Sequence, residues 1–437
     1  METGLSAPPS AALAGQRSLR ICILFDMHYW LYGGGPKFTW ELAHAMIARG
    51  HEVSIYSSAT SKKEPPYKFD ARIRMFRVSL SDKHENIALL RKKISQENYD
   101  VALSMQGGAM QLYWAVVLMG TGIPLVYSEH SFPARVEQFW SRAGRLAAMS
   151  GADAIHLLLP EFINSLPAWL HDRVTCIPNS APDVVAPVAR HQTKPRTIVS
   201  LGRFAAVKQI PLLVEAFGLL HDRFPDWMLD IWGYGEEENA ILKAIAQSPA
   251  KSAIRMRGIA DLALGIFAQA QLFCIPSRCE GFGLTVLEAM SQGTPAIGFA
   301  GCAGVNHIIK DGENGLLAPE MTPQSLADTL AKAMGSAGLR NTLAQGALKT
   351  AQEYAPGPIF DQWEALLLST ASIKGHTRMD AFSEEPFASM ARLSAAARRE
   401  WLFRDFGRPW PGTLRWYAEA ARTAASKLWK SFQRRFE

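Results

Sequence analysis

The chain has little cysteine and none of the spacings that give cysteine a structural job. Its five cysteines (Cys22, Cys176, Cys274, Cys279 and Cys302) are odd in number and form no Cys-x-x-Cys pair. A disulfide framework and a ribbon-type zinc site are therefore excluded, and a reducing compartment is the simplest setting. The first eighteen residues lack a basic start and an apolar segment long enough for a secretory signal. Residues 1–18 read as a disordered leader, and the expected location is cytoplasmic. No Asp-x-Asp pair falls in a convincing loop, so no metal site is expected. A Gly-x-Gly-x-x-Gly fingerprint is missing after the first strand-like run, and no acid closes the second, which leaves a dinucleotide site poorly supported. Charge is absent from residues 103–128, a length that could span a membrane. Gln106, Gln111, Gly120, Gly122 and Pro124 interrupt that stretch, so a buried helix followed by a strand at residues 124–127 is the better reading.

What the chain has in quantity is apolar bulk. Of 437 residues 48% are hydrophobic and 20% charged, the balance of a globular chain with a large core. That length exceeds what one core serves, so two domains are expected. The net charge of +6 is local: residues 371–437 hold thirteen Lys/Arg against seven Asp/Glu, and the remainder is neutral.

Short apolar runs separated by glycine turns and amphipathic helices mark a parallel α/β sheet. They fall at residues 20–25, 53–56, 99–104, 124–128, 154–157 and 174–177, and resume at 197–201, 229–232, 272–275, 295–297 and 315–317. Residues 183–196, rich in Pro, Val and Ala, read as an interdomain linker. The stretch around which the rest is organised is Pro276-Ser277-Arg278-Cys279-Glu280-Gly281-Phe282-Gly283-Leu284, continuing to Glu288-Ala289-Met290. It runs from a buried strand through a tight glycine turn into a helix. In open α/β sheets ligands sit at such carboxyl ends, beside the free N–H groups of helix starts. Gly281 and Gly283 let a ligand approach the backbone. Glu280 lies on the turn and Glu288 on the helix.

The whole string Pro-Ser-x-x-Glu-Gly-Phe-Gly-x-x-x-x-Glu-Ala-Met-x-x-Gly-x-Pro resembles the retaining glycosyltransferases of family 4, which share the two-domain GT-B fold. The resemblance covers roughly residues 19–370. It implies two Rossmann-like domains facing a cleft: residues 19–185 on the acceptor side, rejoined by a helix at 355–370, and residues 195–354 on the nucleotide-sugar side. It implies further that Glu280 contacts the donor sugar. The backbone of Gly281, Phe282, Gly283 and Leu284 would hold sugar and phosphate, and Glu288 the ribose hydroxyls. Arg203 and Lys208, from a Gly-Arg-x-x-x-x-Lys arrangement, would grip the diphosphate; a planar fork and a mobile point charge suit phosphate oxygens. Gly34 and Gly35 would close over the diphosphate, and Gly233 would line the nucleotide pocket. His130, after the strand at 124–128, would reach the donor sugar as a catalytic residue, although a loop histidine that only satisfies backbone groups fits the same position. Glu129 is a candidate acceptor-side partner. Gln209 stands where many members have Gly, and residues 179–183 depart from the usual Asn-Gly-Val-Asp.

Beyond the resemblance, residues 371–437 form a basic amphipathic tail. Leu414, Tyr417, Ala421, Ala425, Leu428 and Phe432 share one helical face, with Arg415, Arg422, Lys427, Lys430 and Arg434 on or beside the other. This is the pattern of a segment at a membrane interface on the inner leaflet, and equally of a helix packed on protein; nothing else supports nucleic acid. The expected activity is metal-independent, retaining transfer of a sugar from a nucleotide-diphosphate donor, UDP favoured, to a glycan or lipid-linked acceptor. No cofactor beyond the donor substrate is expected. A same-fold epimerase or phosphorylase, and a non-catalytic glycan- or nucleotide-binding protein, are the alternatives.

Overall fold

The computed structural model describes residues 17–25, 33–57, 67–78, 84–105, 109–118, 120–139, 142–184, 195–260 and 263–373. Residues 1–16, most of the expected linker and the tail from 374 lie outside the described residues, and so do the expectations placed on them.

Among the described residues, thirteen strands form two parallel sheets. The first contains β1 (Arg20–Phe25), β2 (Glu52–Ser57), β3 (Arg74–Arg77), β4 (Val101–Met105), β5 (Leu125–Glu129), β6 (Ala154–Leu157) and β7 (Val174–Cys176). Their order is β3-β2-β1-β4-β5-β6-β7. The second contains β8 (Thr197–Leu201), β9 (Met228–Trp232), β10 (Ile254–Gly258), β11 (Leu272–Cys274), β12 (Ala296–Phe299) and β13 (Gly315–Ala318), ordered β10-β9-β8-β11-β12-β13. Each order reverses between its first and fourth strand, the place where a doubly wound sheet opens a crevice. The fold is therefore two Rossmann-like domains. Central strands are buried along their length, as β4 is at every residue, because helices cover both faces.

The uncharged stretch is accounted for by burial in protein. The helix Ala109–Leu118 is enclosed from Gln111 onward and leads to β5. Gln111 Nε2 donates to the carbonyls of Ser104 and Ser128 at 3.2 and 2.9 Å, tying that helix to β4 and β5. Among the described residues no helix is long and apolar enough to cross a membrane.

The helix Pro356–Ala371 returns to the first domain. Ile359, Phe360, Trp363, Leu366 and Leu367 enter one core with Ile21, Ile23, Leu42 and Leu103. Its outer edge is pinned as well. His51 accepts at Nδ1 from the Leu19 amide (3.0 Å), which leaves its Nε2–H to donate to Glu364 (2.9 Å). Arg49 reaches both Glu364 (3.2 Å) and Asp361 (2.7 Å).

Candidate active site

The organising loop leaves β11 and descends into the helix Leu284–Ser291. Gly283, at φ 93°, is the N-cap, a left-handed conformation that favours glycine. Phe282 is buried and meets Tyr354 edge-on at 5.8 Å, so its ring belongs to the core and only its backbone faces the loop. Glu280 Oε1 accepts from Lys208 Nζ at 2.6 Å and from Ser277 Oγ at 2.5 Å. Lys208 ends the short 3-10 turn Ala206–Lys208. The next residue, Gln209, takes the left-handed φ of 48°, and its buried Oε1 makes no hydrogen bond. That backbone explains why glycine is the easier residue there. Arg203 pairs with Glu236 through Nη2 at 3.0 Å, both side chains largely exposed. Gly233 sits on the Gly202 carbonyl so closely that a Cβ would come within 1.9 Å of its oxygen, which gives this glycine a packing role between β8 and β9.

The first domain meets this loop at two glycines. A Cβ on Gly281 would stand 2.7 Å from the His130 carbonyl oxygen, and one on Gly34 would stand 2.8 Å from Leu284 Cδ1. Gly34 and Gly35 belong to the first turn of the helix Gly34–Ala48 and not to a free loop. Lys37, from the same turn, donates to Glu288 Oε1 at 2.5 Å and lies 3.8 Å from Glu41. Burial raises the Glu41 carboxyl to about 7; Lys37 opposes that rise and Glu288 adds to it. The sequence reading missed Lys37, whose only signal was its place just after a glycine run.

His130 lies at the carboxyl end of β5. Its ring neighbours are Phe38 at 4.7 Å, His156 at 5.4 Å and Trp363, nearly parallel, at 6.4 Å. Burial, reinforced by His156, holds its pKa well below the ordinary histidine value, while the Asn179 side chain pulls the other way. His156 is fully buried and depressed to about 4 by burial. Glu129 does not face the cleft as an acceptor partner would. It is enclosed and gripped by Arg145, Nε to Oε2 at 2.8 Å and Nη2 to Oε1 at 2.7 Å, with Tyr127 adding a third donor at 3.2 Å. A buried carboxylate needs such partners, and this one is spent on structure. Among the described residues no cluster of three or more His, Cys, Asp or Glu could hold a metal ion.

Two family models match in tandem: Glycosyltransferase Family 4 over residues 32–182 and Glycosyl transferases group 1 over residues 186–350. The chain belongs to the GT-B glycosyltransferases. An uncharacterized glycosyltransferase of Haemophilus influenzae is 24% identical over 78% of this chain and 98% of its own length. The GtfA subunit of a UDP-N-acetylglucosamine–peptide N-acetylglucosaminyltransferase from Streptococcus gordonii is 35% identical, but the match spans 40% of this chain and 35% of that protein. Among solved structures, Anabaena HepE in complex with UDP superposes over 80% of this chain and all of its own, with TM-score 0.65 and 18% identity. Sucrose-phosphate synthase from Thermosynechococcus elongatus gives TM-score 0.68 and 18% identity over 80% of this chain and 98% of its own. At these identities the structures speak for the fold.

Proposed function

We propose that this GT-B glycosyltransferase moves a sugar, with retention and without a metal, from a UDP-sugar to a glycan or lipid-linked acceptor in cell-surface polysaccharide or glycolipid synthesis. One observation carries the reading: Lys208 and Glu280, which by the family resemblance would serve the diphosphate and the sugar, touch at 2.6 Å. The bond to be broken joins sugar to phosphate, so the cation for one and the carboxylate for the other belong side by side. Lys208, Arg203 and the N–H groups at the start of the Leu284–Ser291 helix would stabilise charge on the departing diphosphate. Glu280 would hold the sugar and His130 would reach it from the first domain. Glu288 would accept from the ribose hydroxyls once Lys37 yields an oxygen. The donor base is favoured by the relatives: HepE is seen with UDP, and GtfA is named for a UDP-sugar.

Unfolding the purified chain with UDP, GDP or ADP tests the nucleotide, since a ligand at a hundred times its Kd adds about 2.7 kcal/mol of stability. UDP should give the largest shift, and sugar transfer should persist in excess chelator. No shift with any nucleotide would overturn the reading.

A further inference from the structure

Two buried side chains behind His130 decide what its ring can do. His156 Nε2 lies 2.8 Å from the Ile177 carbonyl, which can only accept, so that nitrogen carries the proton. Neutral His156, enclosed in the core, then has a lone pair at Nδ1, 2.9 Å from Ser128 Oγ. The Ser128 hydroxyl has one proton to give and must give it there. Its oxygen also lies 2.9 Å from His130 Nε2, and toward that atom it can only accept. The chain of donors thus runs in one direction, from His130 Nε2–H to Ser128, from Ser128 to His156, and from His156 to the Ile177 carbonyl. Sheet register holds it rigid, because Ser128 and His156 are partners across β5 and β6.

We infer that Ser128 and His156 are positioning residues that lock His130 in the Nε2–H tautomer and leave Nδ1 as a hydrogen-bond acceptor. This rests on the reading above, in which His130 meets the donor sugar, and deepens it: the partner of the ring would be a hydroxyl that donates, not an oxygen that needs a proton. Which nitrogen of a histidine works is commonly set by the bond the other makes.

The test is nitrogen-15 NMR on the full chain labelled at histidine, with His130 assigned by its loss in His130→Gln. The wild-type ring should show a protonated Nε2 and a bare Nδ1, and Ser128→Ala should release it to a mixture. A wild-type ring protonated at Nδ1, or a Ser128→Ala ring unchanged from wild type, would overturn the inference. Should Ser128→Ala fail to fold, the wild-type spectrum decides alone. In turnover, Ser128→Ala should lower kcat about tenfold with KM for donor within about twofold, and Ser128→Thr, which keeps the hydroxyl, should restore it. Equal kcat in wild type and Ser128→Ala would count against the inference. The expected tautomer in a chain that turns over no UDP-sugar would uphold the relay while sinking the transferase reading.

Discussion

The two halves of the molecule share one strand order and present opposite chemistry to the space between them. The second domain offers charge: Arg203, Lys208 and Glu280 stand on turns at strand ends, and Glu288 lies one turn into the helix that follows. The first offers mainly neutral groups around His130, namely Phe38, Trp363, Ser128 and His156, and its one acid on β5 is locked to Arg145. Among the described residues its charges that act on the second domain include Lys37, which crosses to Glu288, Arg135, which acts on Glu236 and Cys279, and Glu161, which lies 3.8 Å from His307. A common scaffold therefore separates two tasks. Holding a diphosphate needs fixed cations and helix N–H groups, whereas presenting a neutral sugar or acceptor needs shape and oriented hydrogen bonds.

The comparison breaks most readily at the carboxylates. Glu280→Gln should lower turnover about a hundredfold, the scale of losing an electrostatic contact to the reacting group, while UDP affinity stays near wild type. Glu288→Gln should instead weaken UDP binding about tenfold, the worth of a charge-assisted hydrogen bond. Calorimetry beside initial rates separates them, and the reverse pattern would exchange the two roles. Gly281→Ala sharpens the contact between domains. Its methyl would press on the His130 carbonyl, so transfer should fall with the second domain still folded, as near-UV circular dichroism and UDP binding would report. Undiminished transfer would show that the two backbones need not approach.

Smaller effects test the surroundings. Glu41 titrates at about 7 in the folded chain, above its ordinary 4.5, so the stability it lends is present below the ordinary value and lost as pH rises through 7. Glu41→Gln should remove that fall between about pH 5 and pH 7 in denaturant titrations of the two proteins. Equal pH dependence in both would refute it. Gln209→Gly should gain about 1 kcal/mol by relieving the left-handed backbone, seen as a higher midpoint of unfolding. An unchanged or lower midpoint would mean that the Gln209 side chain contributes more than its strain costs.

Much of the second domain was legible in the sequence because its groups sit close together along the chain. Ser277, Glu280, Gly281, Gly283 and Glu288 occupy one turn and one helix, and the apolar runs on either side give the strands. Two strands were not legible, and both are edges. β3 (Arg-Met-Phe-Arg) and β10 (Ile-Arg-Met-Arg-Gly) expose their arginines to solvent, so neither reads as an apolar run. The His130 relay was hidden for another reason: Ser128 and His156 are brought together by the pairing of β5 with β6, which no local spacing reports. Lys37 was missed because its partner Glu288 lies in the other domain. Glu129 misled because a polar residue at a strand end looks catalytic until its burial against Arg145 is seen.

The division of labour is tested most directly by UDP calorimetry on Arg203→Ala and Lys208→Ala. Both are cations on turns outside the core, and their removal opens no cavity. UDP affinity should fall about tenfold or more in each variant, with thermal unfolding close to wild type. Wild-type UDP affinity in both would contradict the claim that the charged half of the molecule holds the donor.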